Sequence, residues 1–527
     1  MSRPPRRAGT ALLALVPIAF LGVFFLWPVG AILARGLWHD GSLDLGAFSD
    51  TLSEPGLLQV LRFTVWQASL STVLTLAVGL PLTAAVSRVR FPGRAVVRAL
   101  VIVPFVLPTI VVATAFRSLG VERSLTAILL AHCFFNLAVV VRVVGVSWET
   151  LDRRTTDAAR TLGAGPVRTF WSVTLPALRP ALVAATSIVF LFCFTSFGVI
   201  LVLGGPTFAT LETEIYRRTA EMLDLRTAAV LSIVQLLAVA GALAVAGLAG
   251  GRAGRRRRVV RVEPVRPGTP GRWLLLGAAV LPGLVLVVVP VAELVRRSFA
   301  GGAVGWTRLD HVTEGFTASP LHALATSVGI ALTATAIAVV LGMALATAVT
   351  RRRARLGRLG EVLVLLPLGV SAVTVGFGFL IVFDTPPLDL RTSWWIVPIA
   401  HALIALPFVV RTAVPLLRAI DPHQREVAAV LGASPRRVWL EVDRRVVTRA
   451  AAVAAGFAFA ISLGEFGATL FIVRPETTTV PIAIYRYLAR PGATNVAQAF
   501  TLATILMLVT GAIAFAGDRV QTRTGRH

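Results

Sequence analysis

The sequence predicts an all-α polytopic membrane protein of about twelve transmembrane helices in two parallel six-helix repeats. Three observations predict it. The 527 residues are 56% hydrophobic and only 15% charged, with a mean hydropathy of +0.80, too apolar for a soluble fold that must cover itself with polar side chains. Arginines gather in short stretches between long apolar runs, as in Arg3, Arg6 and Arg7, Arg255 to Arg258 and Arg351 to Arg353. The chain also repeats itself at a fixed offset.

A helix needs about 20 mostly apolar residues to cross the hydrocarbon. Six such stretches lie near 11–34, 58–86, 97–119, 124–148, 178–203 and 226–249. Six more lie near 272–295, 322–350, 360–383, 394–417, 449–473 and 495–517. The first begins basic and then turns apolar from Ala11 to Ala34, like a secretory signal, but the run is too long for one and is expected to be a membrane span. Residues 251–271, GRAGRRRRVVRVEPVRPGTPG, combine a charge run with prolines and glycines and carry no apolar periodicity. They are expected to form a basic cytoplasmic linker between a first half, 1–250, and a second half, 272–527.

The formal net charge is +25 and all 51 basic residues are arginine. Nucleic acid would be one reading of such a balance, but no soluble domain is present to bind it, and no nucleic-acid partner is expected. With the N-terminus inside, the arginine-rich segments 88–98, 152–179, 252–272, 351–358, 418–449 and the C-terminal tail all fall on that side, as the positive-inside rule requires. Asp40, Asp44, Asp50, Glu54, Glu212, Glu214, Glu221 and Asp224 fall on the other. The expected arrangement is multi-pass with both termini cytoplasmic. Cys133 and Cys193 sit inside apolar runs without metal or disulfide spacing, as small core residues.

Leu162-Gly163-Ala164 recurs as Leu431-Gly432-Ala433, an offset of 432 − 163 = 269. The same offset superimposes Ala131-His132 on Ala400-His401, Phe197-Gly198 on Phe466-Gly467, and Ile215-Tyr216-Arg217 on Ile484-Tyr485-Arg486. Upstream, Gly79, Arg88 and Pro104 match Gly342, Arg351 and Pro367 at 367 − 104 = 263, so the copies differ there by six residues. Two halves with the same even number of spans are parallel repeats about an axis along the membrane normal, which places a pathway between them.

The long cytoplasmic loops at 152–177 and 421–448 carry the most informative residues. Each has an acid, small residues and then a glycine: Asp157-Ala158-Ala159 with Gly163, and Glu426-Val427-Ala428 with Gly432. Small and apolar positions at helical spacing, punctuated by Gly163 and Pro166, predict a short amphipathic helix and a second short helix bearing Phe170 or Trp439. Such a helix suits insertion into a partner's groove.

Both loops resemble the Glu-Ala-Ala loop of binding-protein-dependent ABC importer permeases. The first ends Val173-Thr174-Leu175-Pro176, as that pattern does, whereas the second has Val442-Asp443-Arg444-Arg445 in place of the Leu-Pro ending. The resemblance implies that Asp157, Ala158, Ala159, Gly163, Glu426, Ala428 and Gly432 form coupling helices that dock on a separate ATP-binding cassette subunit, expected to be a homodimer. It also implies an extracytoplasmic solute-binding protein as partner and a bacterial plasma (inner) membrane location. The fused halves, with Ser196-Phe197-Gly198 through Gly204-Gly205-Pro206 and Glu214-Ile215-Tyr216, resemble the thiamine and ferric-iron permease group. Thiamine or its phosphates is the implied substrate, with ferric iron the alternative.

No Gly-rich phosphate loop ending in Gly-Lys-Ser/Thr occurs, and the chain has no lysine to complete one. The chain is therefore expected to be no enzyme and to bind no cofactor, with ATP used by the partner subunit. Candidate pathway residues are Ser196, Phe197 and Gly198 with their repeat mates Glu465, Phe466 and Gly467; an acid within a span is costly and hence a functional candidate, though Glu465 could equally cap or brace helices. His132 and His401 match across the repeat and suit helix packing better than ligation. Trp171, Trp394 and Trp395 suit an interfacial aromatic belt. An ion-driven secondary transporter is the rival from another class, but it would need more charge within spans and no paired docking loops.

Overall fold

The computed structural model describes residues 6–39, 41–121, 123–250, 264–300, 302–351 and 366–524. In the first repeat, α1 (Arg6–Leu21) runs through a π-helical turn into α2 (Trp27–Leu37), followed by a two-residue hairpin of β1 (Trp38–His39) and β2 (Ser42–Leu43). Then come α3 (Pro55–Arg88), α4 (Arg94–Ile102), α5 (Thr109–Ser118), α6 (Leu125–Glu149), α7 (Arg153–Thr161), α8 (Leu175–Phe194), α9 (Gly198–Leu203), α10 (Leu211–Tyr216) and α11 (Leu225–Gly250). The second repeat holds α12 (Pro270–Ser298), α13 (Pro320–Arg351), α14 (Ala372–Val382), α15 (Ile396–Arg418), α16 (Pro422–Val430), α17 (Arg444–Gly464), α18 (Thr469–Ile472), α19 (Val480–Leu488) and α20 (Ala493–Thr524).

Among the described residues, ten helices are long and apolar enough to cross a membrane. The other two predicted spans, the third and the ninth, are built from shorter pieces. Pro104 and Pro108 divide the third into α4, a 3-10 turn and α5, because each proline removes a backbone donor. Around Pro367 the ninth is a 3-10 turn followed by α14, and its predicted start at 360–365 lies outside the described residues.

The two repeats pack alike where the sequence says they should. A Cβ on Gly79 of α3 would come within 3.0 Å of Val140 Cγ1, and one on Gly342 of α13 within 2.5 Å of Val409 Cγ1, the repeat mate of Val140. Without a hydrophobic drive between helices in lipid, close approach at small residues supplies the packing. Hydroxyls within α3 bond back to their own helix: Thr64, Thr72, Thr75 and Thr83 donate to the carbonyls of Val60, Ala68, Ser71 and Gly79 at 2.6–2.7 Å. Buried hydroxyls thus need no external partner.

The chain forms two compact units that do not follow chain order. One comprises Met1–Ala47, Ile215–Ile233 and Ser298–His527, and the other Phe48–Glu214 and Val234–Arg297. In the first unit, Leu21 and Phe25 share a core with Ile330, Phe379, Phe383 and Val397. The Phe24 ring lies 5.4 Å from that of Phe383, Trp27 meets Phe383 edge-on at 5.8 Å, and a Cβ on Gly378 would strike Pro28 at 2.8 Å. In the second unit, α12 lies against α3 and α6: a Cβ on Gly283 would be 2.8 Å from Leu82 Cδ2 and 3.3 Å from Leu137 Cδ2. The opening span of each repeat is therefore lodged in the unit built mainly from the other repeat.

Of the predicted linker, 251–263 lies outside the described residues. Beyond it Val265 forms a parallel bridge with Val89, with Arg90 N–H donating to Val265 O at 2.9 Å and Val265 N–H donating to Arg88 O at 3.0 Å.

Candidate functional site

The predicted loop helices are α7 and α16. Asp152 caps α7 by accepting from Arg154 N–H at 2.9 Å, and Asp421 caps α16 by accepting from His423 N–H at 2.9 Å, which satisfies amides left free in a first turn. Both helices end in the same two-bond closure. Ala164 N–H reaches Ala159 O at 3.0 Å and Gly163 N–H reaches Arg160 O at 2.9 Å; Ala433 N–H reaches Ala428 O and Gly432 N–H reaches Ala429 O, each at 3.0 Å. This is a Schellman closure, which requires a left-handed residue just past the helix. Gly163 and Gly432 both stand at φ +81°. A Cβ at either would meet nothing within 4 Å, so backbone conformation rather than close approach within this chain is what calls for glycine.

The closures leave large apolar side chains bare. Leu162 is 87% exposed and Leu431 is 81% exposed, each immediately before its glycine. Val167, Trp171, Val427 and Val430 are exposed beside them. Asp157 and Ala158 are exposed and Ala159 half-buried in the first loop, as are Glu426 and Ala428 respectively in the second. Glu426 Oε2 sits 3.2 Å from His423 Nδ1.

Each loop continues through one short helix and a π-helical turn, Phe170–Thr174 or Trp439–Asp443, into the following span, α8 or α17. The unmatched ending of the second loop has a structural role. Asp443 is buried and its Oδ1 accepts from Arg425 Nε at 2.8 Å, tying α16 to the root of α17. The first loop has Thr156 and Thr174 at those repeat positions.

Both α8 and α17 stop where the predicted fifth and eleventh spans were expected to run on. Thr195–Phe197 separates α8 from α9, and Glu465–Ala468 separates α17 from α18. Broken helices within a membrane must have their freed backbone groups satisfied by protein, and Glu465 does this. Its carboxylate accepts from Ala468 N–H at 2.8 Å and Thr469 N–H at 3.0 Å, and from the Thr469 hydroxyl. His401 Nε2 lies 3.3 Å from the same carboxylate and 2.8 Å from Thr469 Oγ1, while its Nδ1 lies 2.8 Å from Ser462 Oγ. The first repeat keeps this contact with smaller groups: His132 Nε2 is 2.8 Å from Ser196 Oγ, and His132 Nδ1 is 3.0 Å from Ser71 Oγ on α3. The paired histidines are thus hydrogen-bonded on both ring nitrogens, as a packing role requires. Gly467 sits against Ala372, where a Cβ would come within 2.9 Å of another, and Phe197 and Phe466 are buried, as is Gly198 at the start of α9.

Within the first compact unit the break region carries an aromatic cluster. Phe466 meets Tyr485 edge-on at 5.6 Å, and Tyr216 meets Phe471 edge-on at 5.5 Å. Burial pushes the Tyr216 hydroxyl up to about 12, aided by Tyr485 and the Glu221 carboxylate nearby; burial and Glu221 raise Tyr485 likewise. Glu221 is exposed and ends a π-helical turn held by the Arg218–Asp224 ion pair at 3.2 Å. Burial acts to raise the Asp224 carboxyl, but hydrogen bonds from Thr227 and Arg218 outweigh it and hold the group below the usual range. Tyr216, Tyr485, Glu221, Arg425 and Asp443 were not among the predicted site residues. A signal for the tyrosines existed: the chain has only three, and two of them are related by 485 − 216 = 269.

The family described as binding-protein-dependent transport system inner membrane component matches residues 76–250 and 338–524, one match in each repeat. The chain belongs to this family. Among its relatives, the thiamine transport system permease protein of Brucella abortus is 29% identical over 545 residues, covering 98% of this chain and 97% of that one. The thiamine transport system permease protein of Escherichia coli is 27% identical over 543 residues, covering 96% and 95%. A putative 2-aminoethylphosphonate transport system permease protein of Salmonella typhimurium is 28% identical over 248 residues, 46% of this chain and 92% of its own length. Relatives in the binding-protein-dependent family are named as transport permease subunits, and this chain is a multi-pass inner membrane transport component of that kind, not an enzyme.

Proposed function

We propose that this permease carries thiamine or its phosphates, drawing on ATP hydrolysed by a separate cassette subunit, a homodimer that docks on α7 and α16. The observation that carries the coupling part is the pair of identical closures at Gly163 and Gly432, each presenting a bare leucine to water. An apolar patch left uncovered on a soluble loop marks a protein contact, and two copies at one repeat offset suit a two-fold partner. Closure of that partner moves both loop helices, and the repeats rock to open the pathway toward a loaded solute-binding protein on the far side. Both termini then lie in the cytoplasm.

Thiamine is supported by full-length similarity to two thiamine permeases and only half-length similarity to a phosphonate permease. The aromatic faces of Tyr216 and Tyr485 beside the Glu221 carboxylate suit a cationic heterocycle. The break residues Ser196, Phe197, Gly198, Glu465, Phe466 and Gly467 shape the pathway in this reading. The test is uptake by proteoliposomes holding the chain, its cassette subunit and its binding protein. ATP-dependent entry of labelled thiamine is expected; entry of ferric iron and not thiamine would replace the substrate, and entry driven by an ion gradient without the cassette subunit would overturn the mechanism.

A further inference from the structure

The second compact unit contains a cleft of about 450 Å³ where the C-terminal end of α3 meets the N-terminal end of α12. Three arginines line it, Arg88, Arg266 and Arg272, and none of its lining residues is acidic. The parallel bridge of Val265 to Val89 fastens the segment after the linker against the end of α3 and so places Arg266 beside Arg88. Arg88 hydrogen-bonds the Leu151 carbonyl at 3.4 Å. Arg266 and Arg272 are exposed, and their side chains make no hydrogen bond or ion pair among the described residues. Two unpartnered cations held beside a third at one opening call for an anion, and the planar fork of arginine fits phosphate oxygens.

The rest of the wall is apolar. Pro81, Leu275, Leu276 and Ala279 complete the cleft, and it opens onto α12, whose most apolar stretch is only 22% buried. Trp273 stands exposed at the start of that helix, with Leu274 at 78% and Leu275 at 71% exposure beside it. A tryptophan above bare leucines at the first turn of a span marks the boundary between headgroups and acyl chains. A free anion would use the arginines and leave this apolar wall in water; a lipid uses both.

We propose that this cleft binds the phosphodiester headgroup of an anionic phospholipid, with its acyl chains running along α12. The lipid would bridge α3, the segment after the linker and α12, joining the opening span of the second repeat to the first repeat's helices at the membrane surface. Basic pockets between transmembrane helices are a recurring site for anionic headgroups.

The experiment is native mass spectrometry of the full chain, with phosphatidylglycerol and phosphatidylcholine of equal chain length as competing probes. The expected result is a preference of about tenfold for phosphatidylglycerol, which Arg266→Gln with Arg272→Gln removes. Arg266→Lys with Arg272→Lys, which keeps the charges, is expected to retain much of the preference and shows that loss in the glutamine variant is not misfolding. Equal binding of the two lipids, or an unchanged preference in the glutamine variant, overturns the proposal. Inorganic phosphate binding to delipidated protein and displacing phosphatidylglycerol at millimolar concentration would assign the cleft to a free anion and overturn it equally.

Discussion

Gly163 and Gly432 sit at φ +81° with open space around them, so a side chain at either would not clash but would strain the backbone by about 1–2 kcal/mol. Replacing both with valine is expected to unwind the closures, leave membrane insertion intact, and lower ATP-dependent uptake at least severalfold. Unchanged uptake in that double variant would refute a coupling role. Glu465 behaves differently, because two backbone amides rely on its carboxylate. Glu465→Ala leaves those donors unpaired inside the protein, at about 1–3 kcal/mol, and is expected to lower the Tm in detergent, with Glu465→Gln lowering it less. A Tm unmoved by Glu465→Ala would show that the carboxylate is not the cap. Sequence could name Glu465 as an unusual acid but not decide between cap and pathway. A charge in an apolar run is visible in one dimension, whereas its partners, His401 and the turn at Ala468 and Thr469, depend on where α17 stops.

At the scale of elements, the two coupling loops are near copies with different fastenings. Arg425 is partly exposed, at 38%, while Asp443 is 6% exposed, so losing the arginine takes a charged partner from a mostly buried carboxylate. With a half-exposed arginine screened by solvent, the loss costs about 1 kcal/mol. Arg425→Gln is expected to make the second loop more susceptible to limited proteolysis while the first is cut as before; equal cutting of both would remove the asymmetry. Helix existence was legible from apolar runs, as α3, α6, α13 and α15 illustrate. Helix continuity was not. Hydropathy averages over Pro104, Pro108, Thr195–Phe197 and Glu465–Ala468, because composition at a break barely differs from that of an intact span. The loop helices were legible for the opposite reason: cap, small residues, glycine and proline are local signals that need no tertiary partner.

For the whole molecule, the repeat was written in the sequence at offset 269, with 263 upstream, and the structure repeats it down to Gly79 on Val140 and Gly342 on Val409. The partners of the opening spans were not. An apolar helix face specifies that it must be covered, not by what, so nothing in residues 6–37 announces a core shared with Phe379 and Phe383. Expression of residues 272–527 alone is therefore expected to yield an unstable product that is degraded in the membrane, and co-expression of residues 1–271 as a separate chain is expected to restore its level. Full stability of the second half by itself, measured by its lifetime after a chase, would contradict the exchange. The same exchange also imposes an order in time during synthesis. The opening helix enters the bilayer several hundred residues before α14 and α15 exist to receive it, and it must wait there surrounded by lipid. Its makeup suits the wait: the stretch Leu13–Leu37 is strongly apolar and, even in the finished protein, only 28% buried.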